Sequence, residues 1–242
     1  MAMKTRCRSS AGKRCGAGIN LLPTIVHIRI PFYKKLLSYL YPVNLRQGAG
    51  DVNPFLQLLL HRNRLQLATT DALYSDGDSY LPATAAIGHL KVSMPSVKNV
   101  LVLGTGLGSL VSIIRKGGYD PHFTLVENDK VVLKWAMEAL GGDNARQLQP
   151  VCMDAMAFMN RNTALYDLVF IDIFSSRAVP DFVTTAEFLT QCRDCLAPGG
   201  HVVFNYMVDD PADWVHVQEV FSEIFVQHIV LDLGINKVFV NY

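Results

Sequence analysis

Apolar residues arrive along this chain in two rhythms. Between residues 33 and 96 they come in short, interrupted clusters. The segment YKKLLSYLYPVNL (33–45) has the spacing of an amphipathic helix stopped at Pro42, which has no amide for a further turn. Two apolar runs, 55–60 and 65–69, flank the polar break His61-Arg62-Asn63-Arg64 and predict a β-hairpin. The stretch YSDGDSY (74–80) is turn-rich, and an Ala-rich helix is expected from Pro82 to Leu90.

From Val97 onward a continuous apolar run, a glycine turn and a helical period follow one another repeatedly. KNVLVLG (98–104), HFTLVE (122–127), 147–153, 167–173 and 201–208 have the length and continuity of buried strands. Helices are expected at 107–115, 130–140, 154–161, 184–196 and 211–223, with Pro198-Gly199-Gly200 as a turn into the last of those strands. Such alternation implies an α/β fold with a mostly parallel sheet covered by helices on both faces. The end of the chain reads differently: 225–231, Gly234 and 235–242 form a strand pair suited to an antiparallel edge. Three regions follow, a basic leader (1–32), an N-terminal helix and hairpin region (33–96), and a Rossmann-like domain (97–242).

Composition supports a folded chain, since half of the 242 residues are hydrophobic, enough to bury a substantial core. The net charge of +1 conceals an asymmetry. Residues 1–50 hold nine Lys/Arg and no Asp or Glu, so the remainder carries the acidic excess. A folded core of that sign is a poor nucleic-acid surface, and no nucleic-acid partner is expected. The apolar stretch 19–30 is broken by Pro23, His27 and Arg29, too short for the roughly 20 residues a membrane span needs, and the chain is read as cytoplasmic. The five cysteines do not form a secreted disulfide framework, and Cys192 and Cys195 fall in a helix without a second ligand pair, so no metal site is expected.

In an open parallel sheet, ligands sit beyond the carboxyl ends of the strands. The first such end reads Gly104-Thr105-Gly106-Leu107-Gly108-Ser109, where glycines permit a tight turn and close approach of backbone to a ligand. The second ends in Glu127 and Asn128, and an acid there can accept from both ribose hydroxyls, a geometry shared by NAD and S-adenosylmethionine sites. Asp154-Ala155 follows the third strand, with Asp154 either capping a helix or accepting from an adenine amino group. Asp172 ends an apolar run on the fourth. A partly desolvated carboxylate there suits an amine substrate, a base, or a structural bond to loop amides.

FTLVEND (123–129), YDLVFIDIF (166–174), the VP and T-x-EFL elements within 179–189, and APGG-x-VVFN (197–205) resemble the spermidine synthase branch of the class I S-adenosylmethionine-dependent methyltransferase superfamily. YSDG (74–77) and the hairpin before it resemble that branch's N-terminal β-region. The resemblance implies that Gly104, Gly106 and Gly108 line a nucleoside, that Glu127 holds its ribose, that Asp154 reads its adenine, and that Asp172 takes the proton of an amine, with Thr105, Asn128, Ala155 and Asp172 itself also among the cofactor-binding residues. It also implies S-adenosylmethionine or its decarboxylated form as cofactor, a small-molecule acceptor with amines among the candidates, and pairing into a homodimer. Two positions depart from the aminopropyl transferases of the branch, which carry acids where this chain has Leu107 and Ser175. Methyl transfer is therefore the first expectation, with Tyr74 or Asp76 helping Asp172 orient the acceptor. Aminopropyl transfer and a non-catalytic nucleoside-binding module are the alternatives, and an NAD oxidoreductase is the fourth reading.

Overall fold

The computed structural model describes residues 28–70, 73–141, 145–175 and 178–242. The expectation of a basic leader falls largely on residues 1–27, outside the described residues. A short helix α1 (Phe32–Leu37) precedes a four-stranded antiparallel sheet, β1 (Val43–Gly48), β2 (Leu56–His61), β3 (Arg64–Ala68) and β4 (Leu73–Ser75), paired in chain order. The expected helix over 33–45 is thus corrected. Only its first part is helical, and the residues beyond Pro42 pair with β2, Val43 opposite Leu60 and Gly48 opposite Leu56. The hairpin forms as expected, with Arg62 and Asn63 both at positive φ, as its two-residue turn requires.

After α2 (Leu81–His89) comes the second sheet: β5 (Asn99–Leu103), β6 (His122–Glu127), β7 (Leu148–Cys152), β8 (Tyr166–Ile171), β9 (Leu196–Met207), β10 (His228–Leu233) and β11 (Asn236–Asn241). Its order is β10-β11-β9-β8-β5-β6-β7, with β5 to β9 parallel and the last two strands antiparallel at one edge. The strand order reverses between β5 and β8, the kind of switch point at which crossovers leave a crevice. Pro198-Gly199-Gly200 is not a separate turn. β9 begins at Leu196, opposite Tyr166, and bulges before resuming at His201 opposite Leu168.

The helices between these strands are α3 (Ser109–Lys116), α4 (Lys130–Leu140), α5 (Ala155–Met159), α6 (Ala186–Asp194) and α7 (Pro211–Ile224). One face of the sheet is packed by α2, α3 and α4 through Ala86, Val111, Ile114 and Leu133. The other is packed by α5, α6 and α7 through Met159, Phe188, Leu189 and Phe221. Buried β-strand runs such as Val100 to Leu103 are apolar on both sides because both faces are covered. A third cluster joins Leu56, Leu58 and Leu67 of the small sheet to Leu107, Val132 and Trp135, so α4 lies between the two sheets. Arg46 of β1 pairs with Glu138 across the same junction. Among the described residues, no helix is long and apolar enough to cross a membrane.

Candidate functional site

A cleft of about 390 Å³ opens at the carboxyl ends of the parallel strands. It is floored by the loop after β5, where Gly104 (φ 87°) and Gly106 (φ 53°) take left-handed conformations that side chains disfavour. Gly104 is also held against the strand beyond it. Its amide donates to Val126 O at 3.0 Å, and a Cβ at this position would collide with the Asp172 carbonyl. Thr105 lines the cleft but turns its hydroxyl inward to donate to Val126 O at 3.1 Å. Gly108 does not line the cleft. It is the left-handed N-cap of α3, packed so closely on Leu140 that a Cβ would strike that side chain, so its place is structural.

The end of β6 brings Glu127 to the rim. One carboxylate oxygen accepts from the Gly106 amide at 3.2 Å and the other from the Asp129 amide at 3.1 Å, one bond on each oxygen of a residue that lines the cleft. Burial raises its pKa, and those amide donors oppose the rise. Asn128 beside it is exposed and lines the same cleft. Asp154 caps α5, accepting from the Ala157 amide at 3.0 Å, and lines the cleft together with Ala155. The expected cap is formed, and it leaves Asp154 on the wall of the cleft.

Asp172 stands one residue beyond β8, its amide bonded to Leu103 O at 2.8 Å. Its Oδ1 accepts from Tyr80 Oη at 2.7 Å and from Asn205 Nδ2 at 2.8 Å. Asn205 Nδ2 also donates to Tyr80 Oη at 2.8 Å, while its Oδ1 accepts from Asn236 Nδ2 at 3.0 Å. That last bond fixes the amide orientation, placing the Asn205 nitrogen toward the carboxylate. Burial pushes the Asp172 carboxyl up to about 6, against the pull of its bonds from Asn205 and Tyr80. The Tyr80 phenol is driven well above its ordinary value by burial and by the neighbouring Asp172 charge, so it stays a donor. A carboxylate with two donors, at the mouth of a cleft and titrating near neutrality, can accept a proton from a bound nucleophile.

Asp172 is therefore held by Tyr80 and Asn205, and Asn205 in turn by Asn236, three residues that sequence reasoning missed. Asp76 instead accepts from Gln66 at 2.7 Å and does not line the cleft, correcting its expected role, and the side chain of Tyr74 lies outside the described residues. The remaining wall comes from the small sheet. Ser75 and Ser109 share a buried hydrogen bond of 2.6 Å. The Val52 and Asn53 amides donate to Asp129 Oδ2 at 3.3 and 3.2 Å, holding that loop over the cleft. Asp129 also caps α4; burial opposes its ionisation, yet the amides of Asn53, Val131, Val132 and Val52 keep its pKa below the ordinary value.

Residues 82–224 match the family model for the spermine/spermidine synthase domain. Over 116 residues the chain is 32% identical to an N-terminal histidine N-methyltransferase of Emericella nidulans, covering 46% of this chain and 20% of that protein. Over 114 residues it is 26% identical to the polyamine aminopropyltransferase of Vibrio vulnificus, covering 46% of this chain and 38% of that protein. The chain thus spans well under half the length of these curated relatives. A probable spermidine synthase from Corynebacterium glutamicum superposes with a TM-score of 0.65 at 16% identity, over 83% of this chain and 80% of that one, a likeness of fold.

Proposed function

We infer function from a premise those similarities establish: the chain belongs to the spermine/spermidine synthase family. Within it, we read the chain as an S-adenosylmethionine-dependent transferase acting on a small acceptor, with methyl transfer as the first reading. The observation that carries this is the convergence of the Gly104–Gly106 bend, Glu127, Asp154 and Asp172 on one cleft. The ends of β6 and β8 are two strands apart, roughly 10 Å at the usual strand spacing, a span that suits an adenosyl group between them. In this reading Glu127 and Asn128 take the ribose, Asp154 and Ala155 the adenine, and the Gly104–Gly106 backbone the linker.

When bound, the sulfonium cofactor supplies an activated carbon and a neutral thioether leaving group. The chain's own work is then alignment and proton handling. Asp172 receives the proton that the acceptor loses, and Tyr80 and Asn205 hold its carboxylate on the acceptor side. Leu107, where aminopropyl transferases of the branch carry an acid, is buried with Trp135 and Val132 and offers nothing to an aminopropyl ammonium.

One observation favours the alternative, aminopropyl transfer from decarboxylated S-adenosylmethionine. The described residues lining the cleft include no Lys, Arg or His to meet the cofactor's amino-acid carboxylate. The Ser109 hydroxyl at the start of α3 and its partner, the Ser75 hydroxyl at the end of β4, are the groups this reading offers to it. Incubating the chain with each cofactor form and an amine mixture separates the readings. S-adenosylhomocysteine as product supports methyl transfer, methylthioadenosine supports aminopropyl transfer, and neither product from either form contradicts both. A cytoplasmic, homodimeric protein belongs to the same reading, and sedimentation tests the pairing.

A further inference from the structure

Far along the chain from the cleft residues, the segment from α1 to the start of β1 carries its apolar side chains on the surface. Phe32, Tyr33, Leu36, Tyr39, Leu40 and Tyr41 are each more than half exposed, reaching 74% at Phe32 and 80% at Leu40. Single exposed apolar residues are ordinary, but six within residues 32–41 form a patch, the usual mark of a surface that meets something else. The patch is held in place. The Ser38 hydroxyl accepts from the Asn63 amide at 2.9 Å and donates to Lys35 O at 2.6 Å, while Ser38 O accepts from the Arg62 amide at 2.7 Å. Buried Ser38 thus pins the end of α1 to the turn between β2 and β3, and its apolar neighbours stay outside.

Charge decides what that surface meets. Lys34 and Lys35 lie within the patch, Arg62 stands at its edge, and residues 1–50 of the sequence hold nine Lys/Arg with no Asp or Glu. Two copies meeting through this patch on a two-fold axis would set those cations against their own kind. An anionic bilayer instead suits both components, because its headgroups attract the cations while aromatic rings and leucines enter the boundary between headgroup and chain. We propose that residues 32–41 are a docking surface for an anionic lipid bilayer. Phe32 and Leu36, four apart on one face of α1, enter the boundary together with Leu40, and Lys34 and Lys35 meet the headgroups. Ten residues are too few to span a bilayer, so the segment lies on the surface. The proposal is independent of the transferase reading, and the cleft residues take no part in it.

The test is co-sedimentation of the full chain with vesicles of phosphatidylcholine alone and of phosphatidylcholine mixed with phosphatidylserine. We expect binding to the mixed vesicles to be stronger by about ten-fold or more, and to weaken as salt is added. Leu36→Ser with Leu40→Ser, and separately Lys34→Glu with Lys35→Glu, should each lower that binding by about ten-fold or more. None of the four side chains is buried, so both variants should keep the wild-type midpoint in urea. Equal binding to the two kinds of vesicle, no binding to either, or mixed-vesicle binding that either pair of substitutions leaves unchanged would overturn the proposal. A dimer in solution that dissociates on Leu36→Ser with Leu40→Ser would overturn it too, by making the patch a contact between copies.

Discussion

Tyr80 and Asp172, ninety-two residues apart, are joined by a hydrogen bond of 2.7 Å that ties the segment before α2 to the end of β8. Asn205 donates to both partners, so the three side chains form a closed triangle around one carboxylate oxygen. Because the Tyr80 proton points at Asp172, the phenol serves as a donor to the carboxylate, and in the proposed reading the second oxygen of Asp172 meets the acceptor.

Asp172→Asn is expected to retain nucleoside binding and to lower kcat by about 10²- to 10⁴-fold, the usual range for a lost acid–base group. Its effect on stability has a defined sign. The folded-state pKa of about 6 lies above the ordinary 3.8, so between these values the native chain holds a proton that the unfolded chain releases. Stability therefore falls as pH rises through that window, and the penalty is complete above it. Asp172→Asn should raise stability by about 1–3 kcal/mol at pH 8 and little at pH 4, measured by urea unfolding at the two pH values.

The acid limb of the activity profile should report the same group. Wild-type kcat/KM is expected to fall as pH drops through about 6. Tyr80→Phe and Asn205→Ala each remove a bond that lowers the Asp172 pKa, so each should move that limb to higher pH, Asn205→Ala at least as far. A profile that does not move in either variant would separate Asp172 from the proton transfer.

Gly104 and Gly108 both have positive φ, yet their substitutions should differ. A Cβ on Gly104 meets the backbone carbonyl of Asp172, which cannot step aside, whereas one on Gly108 meets the end of the Leu140 side chain, which can. Gly104→Ala is expected to cost about 2–4 kcal/mol and to abolish nucleoside binding. Gly108→Ala should cost about 1–2 kcal/mol with affinity preserved. Thermal unfolding and calorimetry on the two variants check the contrast.

Much of this was legible in the chain because strand ends are local features. The apolar runs ending at Leu103, Glu127, Cys152 and Ile171 name the rim residues wherever the strands are placed, and parallel order brings them together. What was missed depends on pairing across long separations. Asn205 reads as one polar residue inside an apolar strand, and its bond to Tyr80 spans 125 residues. Asn236 joins it only because β11 folds back antiparallel beside β9. The helix expected over 33–45 failed for a related reason. Its apolar spacing fits a helix locally, but β2 offers Val43 to Gly48 a ladder that Pro42 leaves free to form.

Asp129 links the loop carrying Val52 and Asn53 to the head of α4, a role hidden from local pattern because its partners lie more than seventy residues away. Asp129→Ala is expected to cost about 1–2 kcal/mol through the lost cap. It should also weaken nucleoside affinity by releasing that loop from the cleft, while the Asp172-dependent pH profile stays in place. Chemical denaturation and calorimetry on one preparation measure both effects.

In the proposed reading Glu127, at the end of β6, holds the ribose of a sulfur nucleoside. Calorimetric titration of S-adenosylhomocysteine, methylthioadenosine and NAD into the wild-type chain and into Glu127→Ala tests it most directly. Micromolar binding of one sulfur nucleoside, weakened about ten-fold or more by the substitution, is the predicted result. Tight binding of NAD in their place, or an affinity indifferent to the loss of Glu127, would contradict it.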